Sequence, residues 1–586
     1  MPLHPRQLRS RAAWLCLCLS LLLVGTARAN SPTLVIEGGD SALQDNLHAW
    51  LAVAREPCEL AGWRERTVLR NARRDGEKAL QALGYYQANL HARIEPASGT
   101  GNGCWTLHLS IQPGEPVRVV EMRILIEGEA DGDPAFRELL AQPPLRRGDI
   151  ARHDHYEQLK SSLTRLAAER GYFDSRLTEN RLEIDPQALE ARVVLSLESG
   201  PRYHFGEVDF EQDILREQLI QRFVRFHEGE PFDNRQLLSL RQSLSSSGYF
   251  REIRIQTEPD QQTLTVPVTV TATPRPKHSW LAGIGFATDT GPRLRLGYEN
   301  RRANRRGHRY GTELEASPVR KGIGFNYEIP LSDPNRERIN LSTGYLREDT
   351  DTSRSQRYRL GIAHLRELDS GWVATRSLDF EREFFSVADQ RDDRTDLLMP
   401  GFELSRTRSD NPIHPQRGWR LSGKLRGAHE DIVSSVTFLQ FRGNGKIIFP
   451  VPGGRLLSRV EIGATRADEL VELPSSVRFF AGGDNSVRGY GYQRLGPEND
   501  DGDVVGGRHM MVGSIEYDVP FAQRWSLAVF VDGGNAYDKL ENFEAAYGVG
   551  MGVRWRSPIG PIRLDVAHPS DSRDDFRIHI SMGPDL

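Results

Sequence analysis

Three short segments in the C-terminal half carry residue types whose spacing could do chemistry. Val487-Arg488-Gly489-Tyr490 follows the glycine-rich run Gly482-Gly483-Asp484-Asn485-Ser486. Phe530-Val531-Asp532-Gly533-Gly534-Asn535 puts Phe530 and Asp532 on one face of a strand, and Ser557-Pro558-Ile559-Gly560-Pro561 reads as a tight turn into a strand with inward charges at Arg563 and Asp565. A guanidinium is permanently charged and presents a planar fork that can hold a carboxylate through two hydrogen bonds, and a glycine beside it lets the backbone turn. The chemistry on offer is ionic pinning of a loop. The His and Asp residues show no convergent hydrolytic spacing, and no nucleophile, metal shell or nucleotide loop is required, so the expectation is no enzyme, no cofactor and no metal site.

The elements around these segments are strands. From Trp280 onward the chain alternates: Trp280, Ala282, Ile284 and Phe286 share one face against Gly283 and Gly285, and Trp525, Leu527, Val529 and Val531 oppose Ser526, Ala528, Phe530 and Asp532. Near the end Tyr547, Val549, Met551, Val553 and Trp555 oppose Gly548, Gly550, Gly552, Arg554 and Arg556, and Phe576, Ile578 and Ile580 oppose Arg577 and His579. A soluble sandwich also alternates, with its polar face toward water. Little helical periodicity, long loops rich in Asp, Arg and Gly, and aromatics near strand ends favour lipid outside and a charged lumen inside. The length allows sixteen antiparallel strands closed into a barrel; fourteen or eighteen also fit the pattern.

The first half repeats. Gly84-Tyr85-Tyr86, Gly171-Tyr172-Phe173 and Gly248-Tyr249-Phe250 recur at intervals of 87 and 77 residues, one small domain each. Before the second marker, Tyr156, Leu159, Leu163, Leu166 and Ala167 form an apolar stripe at helical spacing. Glycine fits as the residue that ends the helix in a left-handed conformation, and the aromatics then start a strand that packs back on it. Each unit opens on a short strand, near Thr33, Val117 and His204, giving a β-α-α-β-β order. Pro274-Arg275-Pro276 forms a stiff elbow before the barrel.

Arg6, Arg9 and Arg11, the apolar run from Ala12 to Val24 and Ala27-Arg28-Ala29 form the pattern of a signal peptide over 1–29. Export leaves Cys58 and Cys104 as a possible disulfide in the first soluble unit. The formal net charge is −4 with mixed signs, which implies no nucleic-acid partner, and a hydrophobic content of 38 % excludes a helical membrane protein more readily than a barrel.

The Val-Arg-Gly-Tyr loop, the Phe530 to Asn535 strand and the repeated units together resemble the Omp85 superfamily, whose soluble units are POTRA domains. The resemblance covers essentially the mature chain and implies a signal peptide at 1–29, POTRA units at 30–116, 117–201 and 202–275, and a 16-stranded transmembrane barrel at 276–586. It also implies that the loop folds into the barrel, that Arg488 contacts Asp532, and that Glu516 is a second luminal partner beside Phe530. A lateral seam is implied between the first and last strands, involving Gly283, Ile284 and Gly285 on one side and Phe576, Ile578 and Gly583 on the other. Three soluble units are most like the TamA branch. That branch implies a bacterial outer-membrane assembly factor for nascent outer-membrane proteins such as autotransporters, with a TamB-like inner-membrane-anchored partner and a joint role in lipid transport open. A passive channel and a two-partner polypeptide secretion transporter are the alternatives. The ending Gly583-Pro584-Asp585-Leu586 departs from the terminal aromatic of many such barrels.

Overall fold

The computed structural model describes residues 31–96, 104–388, 393–558, 560–571, 575–583 and 585–586. The expected signal peptide lies outside them. The described residues divide into two compact units: those up to 207 with 228–235 and 258–267, and the remainder to Leu586.

Each repeat builds a three-stranded sheet under two helices. The first has β1 (Thr33–Glu37), α1 (Ser41–Trp50), α2 (Gly62–Ala82), β2 (Asn89–Glu95) and β3 (Thr106–Gln112), in the order β1-β3-β2. The second has β4 (Arg118–Glu127), α3 (Pro134–Ala141), α4 (His153–Glu169), β5 (Arg176–Asp185) and β6 (Glu190–Glu198), in the order β4-β6-β5. The third has β7 (His204–Glu211), α5 (Glu217–Ile220), α6 (Asn234–Ser246), β8 (Phe250–Thr257) and β9 (Thr265–Pro274), in the order β7-β9-β8. Tyr156, Leu159, Leu163 and Ala167 are the buried face of α4, as the helical stripe requires. Cys58 and Cys104 are bonded in the first repeat.

The glycine of each marker has positive φ: 93°, 86° and 78° at Gly84, Gly171 and Gly248. After α2 the Tyr85 N–H donates to Leu80 O and the Gly84 N–H to Gln81 O, and after α4 Tyr172 and Gly171 repeat the pair toward Ala167 and Ala168. This is the left-handed helix stop that glycine makes cheap. The structure adds a role that core packing alone does not give. Gly84 O accepts from Val117 N, and Tyr86 Oη lies 2.6 Å from His153 Nε2, so the first marker meets the second repeat. Gly171 O accepts from Tyr203 N, and the Phe173 ring packs edge-on against Tyr203 and Phe232 of the third. Tyr249 donates to Gly307 O, with the Arg309 guanidinium over its ring, so the third marker meets the turn between the second and third barrel strands. The marker is a joint as well as a helix stop.

One arginine reinforces the middle joint. Arg170 donates to both carboxylate oxygens of Asp133, which caps α3, and to Asp233 Oδ2 at 2.7 Å, which caps the start of α6. Burial opposes charge on both carboxyls, yet the Arg170 hydrogen bond to Asp133, the Arg235 hydrogen bond to Asp233 and the backbone N–H bonds outweigh it and hold both below the usual carboxylate range. Lowered folded values mean stabilisation that is full at neutral pH and lost as pH falls through them. Arg170→Ala is expected to lower the stability of this unit by about 2–3 kcal/mol, read as faster amide exchange around Tyr203 and Phe232. The wild-type and variant curves should converge in acid, and a constant gap down to the lowest pH would contradict the assignment.

In the second unit, sixteen strands from β10 (His278–Ala287) to β25 (Arg577–Met582) form one antiparallel sheet in strict sequence order. Trp525, Leu527, Val529 and Val531 face outward, while Ser526, Ala528, Phe530 and Asp532 are buried inside. Apolar outside and polar inside is the inverse of a soluble sandwich and matches a wall in lipid. No helix among the described residues is long and apolar enough to cross a membrane, which says nothing about strands.

Candidate functional site

The strands that build the site are β20 (Gly454–Ala467), β21 (His509–Ala522), β22 (Trp525–Tyr537), β23 (Ala546–Ser557) and β24 (Gly560–Pro569). The segment between β20 and β21 carries Val487-Arg488-Gly489-Tyr490 and turns into the lumen. Val487 and Tyr490 are buried with Phe479, Ala481, Met510 and Val512. That apolar contact seats the loop and aims the residue between them at the wall.

Arg488 is 5 % exposed and uses its whole fork. Nε and Nη2 donate to the two oxygens of Asp532 at 2.7 and 2.9 Å, and its backbone N–H adds a third bond to Oδ2 at 3.0 Å. Nη1 reaches Glu516 Oε2 at 2.8 Å and Asp565 Oδ2 at 3.0 Å. The guanidinium also lies over the Phe530 ring, 3.3 Å from its centroid. Register explains why these acids converge: Glu516 faces Phe530 and Ser514 faces Asp532 across β21 and β22, so inward positions on neighbouring strands stack on one patch of wall.

Two members escaped the sequence reading as partners. Asp565, on β24, bonds Arg488, and Arg554, on β23, bonds both Glu516 and Asp565. Alternation marked both as inward, but not which loop they meet. A signal was present in Gly548, Gly550 and Gly552, all inward on β23: a row of glycines on a luminal face marks close approach by something else. A Cβ at Gly548 would overlap the carbonyl oxygen of Arg488, and one at Gly552 would overlap the Asp565 carboxylate. Arg459 on β20 donates to the carbonyls of Asn485 and Ser486 and supplies a third cation beside the three acids.

Next to this cluster lies the seam. β10 pairs with β11 (Gly291–Asn300) along its full length, so Gly283 and Gly285 do not interrupt that ladder. Its other edge is sparsely joined. Among the described residues the bonds between β25 and the end of β10 run through one pair: Thr288 N–H donates to Ile580 O at 3.2 Å, and Ile580 N–H to Thr288 Oγ1 at 2.7 Å. Neither residue was in the sequence-derived seam set. Antiparallel register through this pair sets Ile284 six residues out of step with Ile578. Ile284, Phe576 and Ile578 are outward and exposed, and the Gly583 N–H donates to Pro561 O at the start of β24. The end of the chain turns inward: Asp585 is buried between Arg455 and Arg563, 2.8 Å from Arg455 Nη1.

A nearly closed wall of sixteen strands, a loop pinned inside it by arginine and a weak first-to-last seam are now in view, and residues 268–585 match the Omp85 superfamily domain. The chain belongs to the Omp85 superfamily. Residues 33–113 match the first POTRA domain of TamA, and residues 203–275 a POTRA domain described as a surface antigen variable number repeat. The outer membrane protein assembly factor BamA of Nitratidesulfovibrio vulgaris is 23 % identical over 391 residues, covering 62 % of this chain and 48 % of the relative. BamA of Neisseria meningitidis serogroup B is 22 % identical over 464 residues, covering 66 % and 56 %. This Omp85 chain thus spans about half the length of the curated relatives it matches. The crystal structure of BamA from Haemophilus ducreyi lacking POTRA domains 1–3 superposes with a TM-score of 0.67 at 16 % identity, covering 79 % of this chain and 99 % of that one. The shared fold is a POTRA-bearing outer-membrane β-barrel.

Proposed function

We propose that this Omp85 protein is an outer-membrane assembly factor of the TamA type, which inserts or translocates nascent outer-membrane proteins such as autotransporters through its lateral seam. The observation that carries the reading is the contrast between full ladders around the barrel and, among the described residues, the single Thr288–Ile580 pair at the seam. An incoming strand gains backbone hydrogen bonds by pairing with the exposed edge of β10, so the edge serves as a template. Strand length supports the same place: β25 has 6 residues and the strand Asp393–Ser409 on the far wall has 17. A tilted strand needs about 9–11 residues to cross the hydrocarbon core, so the seam side favours locally thin membrane. A passive channel fits less well, because the pinned loop occupies the lumen.

The TamA-type match at 33–113 supports the finer assignment and, with it, a TamB-like inner-membrane-anchored partner that meets the soluble arm and shares a role in lipid transport between membranes. Purification through the soluble arm should recover that partner. Recovery of one dedicated secreted substrate instead would favour two-partner secretion.

The seam itself is tested by cysteines at positions 288 and 580. Oxidation is expected to stop substrate assembly in cells and reduction to restore it. Normal assembly with the crosslink complete would end the seam mechanism.

A further inference from the structure

The Arg488 loop also reaches both edges of the seam. Asp289 lies in the turn between β10 and β11, and His579 lies on β25 facing inward. Asp484, in the middle of the glycine-rich run, stands between them. On one side His579 Nδ1 is 2.6 Å from Asp484 Oδ1, and the Gly489 N–H donates to His579 Nε2 at 2.9 Å. On the other side the Asp484 N–H donates to Asp289 Oδ2 at 2.7 Å, and the Asp289 N–H to Asp484 Oδ2 at 3.3 Å. Acceptance at Nε2 assigns the ring proton to Nδ1, where it meets the Asp484 carboxylate.

We propose that Asp289, Asp484 and His579 form a latch through which the seated loop ties the first and last strands together, so that seating of the loop closes the seam and its release opens it. The proposal rests on the reading in which the seam opens in function. It makes Asp289 and His579 positioning residues that act through the loop. Among the described residues the edges share one hydrogen-bonded pair directly, whereas the loop bridges them through four bonds, all within five residues of Arg488. The far end of β25 is held separately through Asp585 and Arg455, so release at His579 leaves that strand hinged at its other end. The three side chains also place potential ligand atoms within 4.8 Å of one another, a donor set that a divalent cation accepts. Both His579 nitrogens are already engaged by hydrogen bonds, which favours the latch without an ion.

Spin labels on cysteines replacing Phe286 and Ile580, which stand two residues out of step across the seam, in the full chain in lipid nanodiscs, read the seam distance directly. A single short distance is expected without further change. Asp289→Ala or His579→Ala should raise a longer-distance population about tenfold or more, the two together should add little beyond either alone, and His579→Gln, which can both accept and donate, should restore the short distance. A short distance retained in both alanine variants, with the barrel folded by its heat-dependent gel mobility, overturns the latch. So does opening of the unsubstituted protein by chelator alone, because the tie would then be a metal ion. Should the alanine variants fail to fold, native-state amide exchange decides. The Gly489 and Ile580 amides should open at one common rate, and different rates would overturn the coupling. A wider seam with assembly intact supports the latch and counts against insertion through the seam. Lost assembly at an unchanged seam distance counts against the latch.

Discussion

Arg488→Ala is expected to free the loop from the lumen and to abolish assembly activity while the sixteen-stranded wall stays folded. The side chain makes two bonds to Asp532 and reaches Glu516 and Asp565 as well, and Asp532 itself has no exposed surface. Without it, Arg554 alone bonds Glu516 and Asp565, and Asp532 keeps a buried charge with Arg459 nearby but no guanidinium bonded to it. Removing one partner from a buried ion pair costs about 3–5 kcal/mol, because the remaining charge is stranded in a poor solvent for it. At about 1.4 kcal/mol per decade the ratio of seated to released loop falls by roughly two to three and a half powers of ten. Amide exchange across residues 482–490 measures that population, and protection equal to wild type would refute the pinning role. Arg488→Lys should fall between the two, since an ammonium cannot make the paired bonds to Asp532 and still reach the acids on β21 and β24. Combining Arg488→Ala with Asp532→Ala should do less harm than the sum of the single changes, because the double variant no longer buries a stranded carboxylate.

Much of this site is legible in the sequence. Period-two alternation says which side chains point into the lumen, and the structure buries Glu516, Phe530 and Asp532 on that side. The resemblance then named Arg488 as the visitor. What alternation cannot say is which inward residues lie at the same height on different strands. Asp565 and Arg488 are 77 positions apart, and His579 and Asp484 are 95 apart. Their meeting depends on the stagger of five strands and the path of a long loop, none of which leaves a local pattern. The seam shows the same limit: glycines at 283 and 285 suggested where a ladder is weak, yet β10 is fully paired through them on one side, and the sparse contact lies a few residues on, at Thr288.

The repeats failed differently. Gly-aromatic-aromatic satisfied a helix stop and a core position so well that no further explanation was needed. Only the structure shows Tyr86, Phe173 and Tyr249 carrying that motif outward to whatever follows, a second repeat, a third repeat or a barrel turn. Equal markers imply equal joints, a consequence of repetition that becomes visible when neighbours are compared.

Space is a second requirement for the seated loop, separable from charge. Gly548→Ala adds one methyl group on the inner face of β23 and alters no ionisable residue. The added carbon would overlap the backbone carbonyl of Arg488, which cannot swing aside as a side-chain tip would. Overpacking of this kind costs about 1–3 kcal/mol when the surroundings adjust. Here the least anchored neighbour is the loop, so the loop is what should move. The expected result is exchange at 482–490 faster by roughly ten- to a hundredfold and a matching loss of assembly, with Asp532, Glu516, Asp565 and Arg554 all present. Gly324→Ala is the control, because a Cβ there meets nothing within 4 Å. If Gly548→Ala leaves the loop as protected as Gly324→Ala does, the glycine row is not there to admit it. If it releases the loop, adding Arg488→Ala should change little further, since a loop that has left the wall no longer has its fork among the acids.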